Sequence, residues 1–469
     1  MEENILEFVE PYFSTKTAGL TKDISRAADN VDRISNFLYK CGKYAGSERL
    51  LQHAINWECL ILHAYDPVIL ETKSRKGNSL RLQTRYQEAE SVFVEVEKEY
   101  AAGDYGNDKG RVWNLLYLTR LTRDQGRFEE AENHLRDILV RTECVPERRG
   151  IYLETKNDLA WTLMKRSKLL EAEHVICDLI AVSTAELGHD HPDTKASMAC
   201  LATVLSKLGQ VRDSLNLYLE CYAFATRTWG SSSPESINGG INVGYCLRAL
   251  GRIKEAGELL REISGTAKRV FGPDHRYTVV IIGNLATCLL EQKQKYEGLE
   301  AAKRALSIQE KNPDLNKLDL IWSQEVQALA LKANDQLQEA EVLLCKVLGR
   351  CDEIYGKTSH CTLEVTHNLG CILRDQNRNE EAKGLFKTVW GYQRDLLGED
   401  HYRTLKTAFE YALLLDPITQ RREVTTILRT AAQGLPKALD PLHPIHKRIA
   451  EAMKARNIEL IAGDRDESD

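Results

Sequence analysis

No run of apolar residues in this 469-residue chain approaches the roughly 20 that a membrane-spanning helix needs. Positive charge is not in excess either. Lys and Arg number 63 against 69 Asp and Glu, and the formal net charge of −6 argues against a nucleic-acid binder. The opening residues Met1-Glu2-Glu3-Asn4 lack the basic stretch and apolar run of a secretory signal, so a cytoplasmic location is expected. None of the twelve cysteines forms a Cys-x-x-Cys pair, and the nearest two are Cys345 and Cys351. Walker-type phosphate loops and Gly-x-Ser-x-Gly elbows are missing. No catalytic residue, cofactor or metal is therefore nominated, and the chain is expected not to be an enzyme. His189-Asp190-His191 and the pair His443 and His446 could be taken for metal ligands. The first lies in a loop whose counterparts carry no histidine pair, and Pro444 puts a helix start between the other two. Both read as solvated turns.

What is present is a beat. Gly42, Thr84, Gly126, Ser167, Gly209, Gly251, Lys293, Asp335 and Asn377 recur in steps of 42 residues, with one step of 41. Five residues after each stands a small side chain: Ser47, Ala89, Ala131, Ala172, Ser214, Ala256, Gly298, Ala340 or Ala382. Four residues before each stands Leu, with Thr122 the exception. A fixed period of this size means stacked copies of one supersecondary unit. Each copy reads as two helices. Asn157 to Met164 has apolar residues at helical spacing, Ser167 breaks the run, and Leu169 to Ile176 resumes it. The small residue is where two helix axes approach.

A second signature marks the longer loop between copies. Gly188-His-Asp-His-Pro-Asp-Thr194 returns as Gly230 to Ser236, Gly272 to Thr278, Gly356 to Thr362 and Gly398 to Thr404, with Asp314 on the missing beat. The glycine ends the second helix, and the closing Thr or Ser is expected to cap the next. Cys246 and Cys288 share one repeat position, Cys177 and Cys345 another, a pattern that predicts small core residues. Glu129, Glu130 and Glu132 are expected on the charged outer face of a second helix.

The unit resembles the tetratricopeptide repeat, in the long 42-residue variety of kinesin light chains. The pairs Leu159-Ala160, Leu201-Ala202, Val243-Gly244, Leu285-Ala286 and Leu369-Gly370 stand where that family places a large apolar residue and then Gly or Ala. Ile34-Ser35 and Lys76-Gly77 match it weakly. No long heptad segment precedes the repeats, which points away from a light-chain role. The resemblance implies an all-α fold, an α-solenoid forming a right-handed superhelix of about ten two-helix repeats. Expected boundaries are a cap segment over 1–21, the solenoid over 22–440, a closing helix over 441–462 and an acidic disordered tail over 463–469. In the last second helix, Val424 replaces the small residue.

The first helices line the concave side of such a stack. The resemblance implies that residues thirteen, ten, six, three and two before each mark face the groove. The position three before reads Tyr39, Arg81, Arg123, Met164, Ser206, Arg248, Leu290, Lys332 and Arg374. Arg120, Lys165 and Lys207 join this basic ladder, with Trp113, Leu116, Trp161 and Tyr245 as apolar anchors and Asn157, Asn238 and Asn242 as backbone ligands. Together they predict a groove for a short acidic peptide with one or two large apolar residues. The expected function is a non-enzymatic protein-protein interaction scaffold, with a protein or peptide partner, no nucleic acid and no membrane insertion. A sensor or regulatory repeat array is the alternative, and an all-helical barrel enzyme stands behind it.

Overall fold

The computed structural model describes residues 30–459, apart from 32, 39–42, 64, 104–108, 312–316 and 442. The mark Gly42, the ladder residue Tyr39, the loop residue Asp314, the segment expected over 1–21 and the tail expected over 463–469 lie outside the described residues. After a helical stretch at 33–38, the helices run α1 (Tyr44–Ile61), α2 (Pro67–Leu82), α3 (Tyr86–Ala102), α4 (Lys109–Asp124) and α5 (Phe128–Thr142). Next come α6 (Arg149–Lys165), α7 (Leu169–Leu187), α8 (Pro192–Lys207), α9 (Val211–Trp229), α10 (Pro234–Leu250) and α11 (Ile253–Phe271). Then follow α12 (Arg276–Glu291), α13 (Lys295–Lys311), α14 (Lys317–Ala333), α15 (Leu337–Tyr355), α16 (His360–Asp375) and α17 (Asn379–Leu397). The series closes with α18 (Tyr402–Leu413), α19 (Arg421–Ala438) and α20 (Pro444–Ala455). Each helix packs on its neighbours in sequence, and the first helix of one repeat also touches that of the next, as in α2 with α4 and α12 with α14. This is an all-α solenoid, and no strand occurs among the described residues.

The beat has a physical cause. Every described mark residue has positive φ, from 59° at Thr84 to 91° at Gly251. Its N–H returns to the carbonyl three residues back, and the next N–H to the carbonyl five back. At Ser167 these bonds are Ser167 to Met164 at 3.1 Å and Lys168 to Leu163 at 2.9 Å. That is a Schellman ending, which closes the first helix and reverses the chain in one residue. The leucine four before the mark accepts the longer bond and packs in the core: Leu163 is 0% exposed. The small residue five after is buried in every repeat from Ser47 to Ala382. At Gly298 even a methyl group would meet Leu290 at 2.6 Å. Gly77, at one of the weakly matching pairs, is similarly crowded, with Phe93 2.6 Å from where its Cβ would lie.

The inter-repeat loops correct one expectation. Capping is done three residues before the closing Thr or Ser. His191, His275, His401 and His443 accept through Nδ1 from the N–H two residues on, at 3.1 to 3.2 Å, and Ser233 and Ser359 accept through Oγ. The closing hydroxyl turns back instead: Thr194, Ser236, Thr278 and Thr362 donate to the carbonyl of the loop glycine. The imidazole of His191 is thus a helix cap. His446 faces the Asp440 carbonyl at 3.0 Å.

Two further expectations fail. Cys177 and Cys345 are exposed, because their shared position lies on the outer face of the second helix. Glu132 is 0% exposed and bonds Arg136, Arg166 and Lys168. Burial alone would raise its carboxyl, but the three cations hold it below the usual range.

The solenoid also returns on itself. Tyr355 stacks on Phe128 at 5.7 Å, and the His360 N–H reaches Ser167 Oγ, 193 residues away, at 3.4 Å. His401 Nε2 lies 3.0 Å from the Lys207 carbonyl. Since its Nδ1 accepts the capping bond, Nε2 carries the proton and donates. Asp440 N–H donates to the Leu250 carbonyl and Arg212 to that of Leu439. One superhelical turn thus closes every four to five repeats, and helix corners of the first turn seat against inter-repeat loops of the second.

Candidate interaction groove

The first turn encloses a concavity of about 740 Å³. α4 contributes Trp113, Tyr117, Arg120 and Arg123, and α6 contributes Glu154, Asn157, Asp158, Trp161 and Lys165. Arg75, Asn78 and Arg81 of α2 extend it, and Arg276 of α12 reaches it from across the superhelix. Trp113 stacks on Tyr117 at 5.8 Å, Arg120 lies over the Tyr117 ring, and Trp161 is 36% exposed. Asn157 Oδ1 is buried without a hydrogen-bond partner. Helical spacing places these side chains together: 113, 117 and 120 fall on one face of α4, as 154, 157, 158, 161 and 165 do on α6.

Six of the residues nominated from the sequence line this space: Trp113, Arg120, Arg123, Asn157, Trp161 and Lys165. Tyr245 and Arg248 line a second, smaller concavity of about 140 Å³ with Glu291, Glu364, His367, Tyr402 and Arg403. Lys207, Asn238 and Asn242 line neither. Leu116 is a correction. It is 0% exposed and belongs to the core between helices, so it presents no surface to a ligand.

The basic ladder is real, but it is paired. Arg81 bonds Asp124, Arg123 bonds Asp158 at 2.7 Å, and Arg248 bonds Glu291 at 3.0 Å. Lys332 bonds Asp375 at 3.2 Å, and Arg374 bonds Glu410. Each carboxylate sits on the first helix of the following repeat, so the ladder clamps neighbours together. Burial would raise the Asp158 carboxyl, yet Arg120 and Arg123 hold it below the usual carboxylate range. The pattern was readable: Arg81 and Asp124, Arg248 and Glu291, Lys332 and Asp375 are each separated by the repeat length plus one. Asn78, Tyr117 and Arg276 were also missed. Arg276 carries no sequence signal, since only the return of the coil brings it near α4 and α6.

Lys207 is different. Its ammonium has no ion-pair partner within 4 Å among the described residues. Burial, then the charges of Lys165 and Arg403, bring it down to about 8. Across the turn, Glu325 is pushed up to about 8 by burial and by Glu364, while Asn368 donates to it at 2.8 Å. Glu364 itself is held by Arg403 at 2.7 Å.

Family models of the tetratricopeptide repeat match residues 196–235, 236–311 and 362–403. Over those residues the chain carries tetratricopeptide repeats. No curated protein sequence matches it. Among solved structures, a Rap protein complexed with Competence and Sporulation Factor is similar in fold, with a TM-score of 0.54, 12% identity and 80% of this chain covering 99% of that one. A putative kinesin light chain from Podosopora anserina, with nearly identical TPR-like repeats, shares 24% identity over 43% of this chain and 94% of its own, at a TM-score of 0.33. BtubC (BKLC) from P. vanneervenii shares 18% over 48% and 88%, at 0.37. Tetratricopeptide repeats are protein-interaction modules, typically without catalysis, and the chain is in that general sense an interaction scaffold. No helix among the described residues is long and apolar enough to cross a membrane.

Proposed function

We propose that the first superhelical turn holds an extended acidic peptide segment with a large apolar side chain, and that the chain acts as a non-enzymatic adaptor. One observation carries this reading: the 740 Å³ concavity is lined by six cationic side chains against three carboxylates, Asp124, Glu154 and Asp158. Much of that charge is paired, Arg75 with Glu71, and Arg81, Arg120 and Arg123 with the lining carboxylates. The net positive lining is what favours an anionic ligand. Trp113, Tyr117 and Trp161 supply an aromatic wall for an apolar anchor. Asn157 Oδ1 is an acceptor waiting for a peptide N–H. Because the groove is preformed, binding orders the ligand more than the protein.

The test is fluorescence anisotropy with a panel of acidic, neutral and basic peptides, each with and without an aromatic residue. Acidic aromatic peptides bind best, binding weakens with salt, and Trp161→Ala or Lys165→Glu weakens it by about tenfold or more. Equal binding of acidic and basic peptides, or intact affinity in both variants, rejects the reading. A regulatory array is the second reading, favoured by the contact between turns, since a groove ligand touching Phe128 and Lys165 touches residues that also meet Tyr355.

A further inference from the structure

The second turn meets the first through the segment joining α15 to α16. At one end Tyr355 stacks on Phe128 and lies under the Lys165 ammonium. At the other the His360 N–H reaches Ser167 Oγ. Two thiols flank this segment: Cys351, fully buried near the end of α15, and Cys361, partly exposed at the start of α16. Their sulfurs are 3.6 Å apart. Eleven free cysteines are described, and no other two of them are joined by a hydrogen bond. We infer that Cys351 and Cys361 form a redox-active dithiol, converted by a peroxide to a disulfide that staples the segment contacting the first turn.

The repeat itself argues that the pair is not a packing requirement. The same two positions at other junctions hold Tyr100 and Gly110, Ser183 and Asp193, Ala225 and Glu235, Ala267 and Tyr277, and Gln393 and Arg403. Residues of every size and polarity are accepted there, and two thiols coincide at this junction alone. A disulfide brings the sulfurs to about 2 Å, so closure asks for a movement of roughly 1.5 Å. Side-chain rotation and a small shift at the end of α15 supply that without unwinding either helix. The S–H of Cys361 also stabilises a thiolate on Cys351, which lowers that thiol despite its burial.

The chemistry balances with a peroxide as the only added reagent. The two sulfurs share one proton, which rests on Cys361, because Cys351 and burial hold that thiol high. Its transfer to Cys351 frees the partly exposed Cys361 sulfur, which as thiolate attacks a peroxide oxygen and breaks the O–O bond. A sulfenic acid forms, and the departing hydroxide takes the thiol proton as water. The Cys351 thiolate then attacks the sulfenic sulfur, the S–S bond forms, the S–O bond breaks, and a second water leaves. Two thiols are oxidised by two electrons and one peroxide is reduced to two waters.

The experiment treats the reduced, unmodified chain with hydrogen peroxide, alkylates the remaining thiols, digests it and maps the fragments by mass spectrometry. The expected product is a cross-linked peptide joining Cys351 to Cys361, lighter by two hydrogens and released by dithiothreitol. Amide exchange over Gly356 to Ser359 is expected to slow by about tenfold in the oxidised form. In Cys351→Ser, Cys361 loses its resolving thiol and becomes trappable by a sulfenic-acid reagent. The inference is overturned if both thiols remain alkylatable under treatment that oxidises the exposed Cys177 and Cys345. It is equally overturned if the cross-links formed join other cysteines, or if exchange over Gly356 to Ser359 does not change. None of these readouts involves a groove ligand, so they succeed or fail apart from the adaptor function.

Discussion

At two of the mark positions, glycine answers to what lies above it. All described marks share the left-handed backbone, with glycine at Gly126, Gly209 and Gly251 and a side chain at Thr84, Ser167, Lys293, Asp335 and Asn377. A Cβ on Gly209 would lie 2.9 Å from the His401 ring, and one on Gly251 3.0 Å from His443 Cα. Ser167 also meets the second turn yet keeps its side chain, whose Oγ accepts the His360 N–H. Gly209→Ala is expected to cost about 2 kcal/mol, combining left-handed strain with the contact to His401. Asp335→Gly should be neutral or stabilise by up to about 1 kcal/mol, since glycine adopts this backbone without strain. Urea unfolding of the two variants checks the contrast, and equal effects would contradict it. Glu132→Ala belongs to the same scale. Leaving Arg136, Arg166 and Lys168 around an empty site should cost roughly 3 kcal/mol, read from the same unfolding curves.

For the helices, starts and stops explain both what could be read from the sequence and what could not. Stops were legible, because a Schellman ending demands one special residue at a fixed distance from a buried leucine. Starts were misassigned, because His191 and Thr194 are both polar loop residues and only geometry shows which oxygen or nitrogen meets the helix N–H. Burial was legible along the apolar stripes but not at Glu132 or Cys177, where a polar residue packs inward and a small one faces out. The histidine caps give a pH dependence. Burial first, then Arg403, brings His401 down to about 4, and burial, then Lys406 and His446, does the same for His443. The usual value is near 6.5, so the unfolded chain binds the proton more tightly than the folded one. The stabilisation is complete above about pH 6.5 and is lost as pH falls toward 4. For His401 it amounts to a few kcal/mol at most. His443→Ser, which copies the caps at Ser233 and Ser359, should flatten part of the slope of the urea midpoint between pH 7 and 4. An unchanged slope would show that other groups carry it.

On the scale of the whole molecule, the fold class and repeat phase followed from the 42-residue period, whereas the return of the coil did not. Nothing local in Arg276 or Tyr355 announces that each faces a repeat far away in sequence. For the same reason the groove was drawn as an open wall, with Leu116 on it and Arg276 absent. A shallow strip of first helices became an enclosure once the second turn was in place. Stacked repeats ordinarily interact only with immediate neighbours, and can then unfold piecemeal. Contacts such as Lys207 with His401 add long-range coupling. Removing residues after Asp416 should therefore loosen the corners at Gly209 and Gly251, although neither neighbours the cut in sequence. Hydrogen exchange at the ends of α8 and α10 measures this, and exchange unchanged there would show that the turns are independent.

The seating of Gly209 under His401 and Gly251 under His443 also limits how such a chain can evolve. In an open array, duplicating or deleting one unit lengthens or shortens the molecule and leaves every other contact intact. Here, one unit more or less between α10 and α16 would shift the partner of each corner by 42 residues. A loop would then face a corner carrying Lys293 or Thr84 where it now meets glycine. The number of repeats is part of the specification of this fold, as the strand number is in a closed barrel.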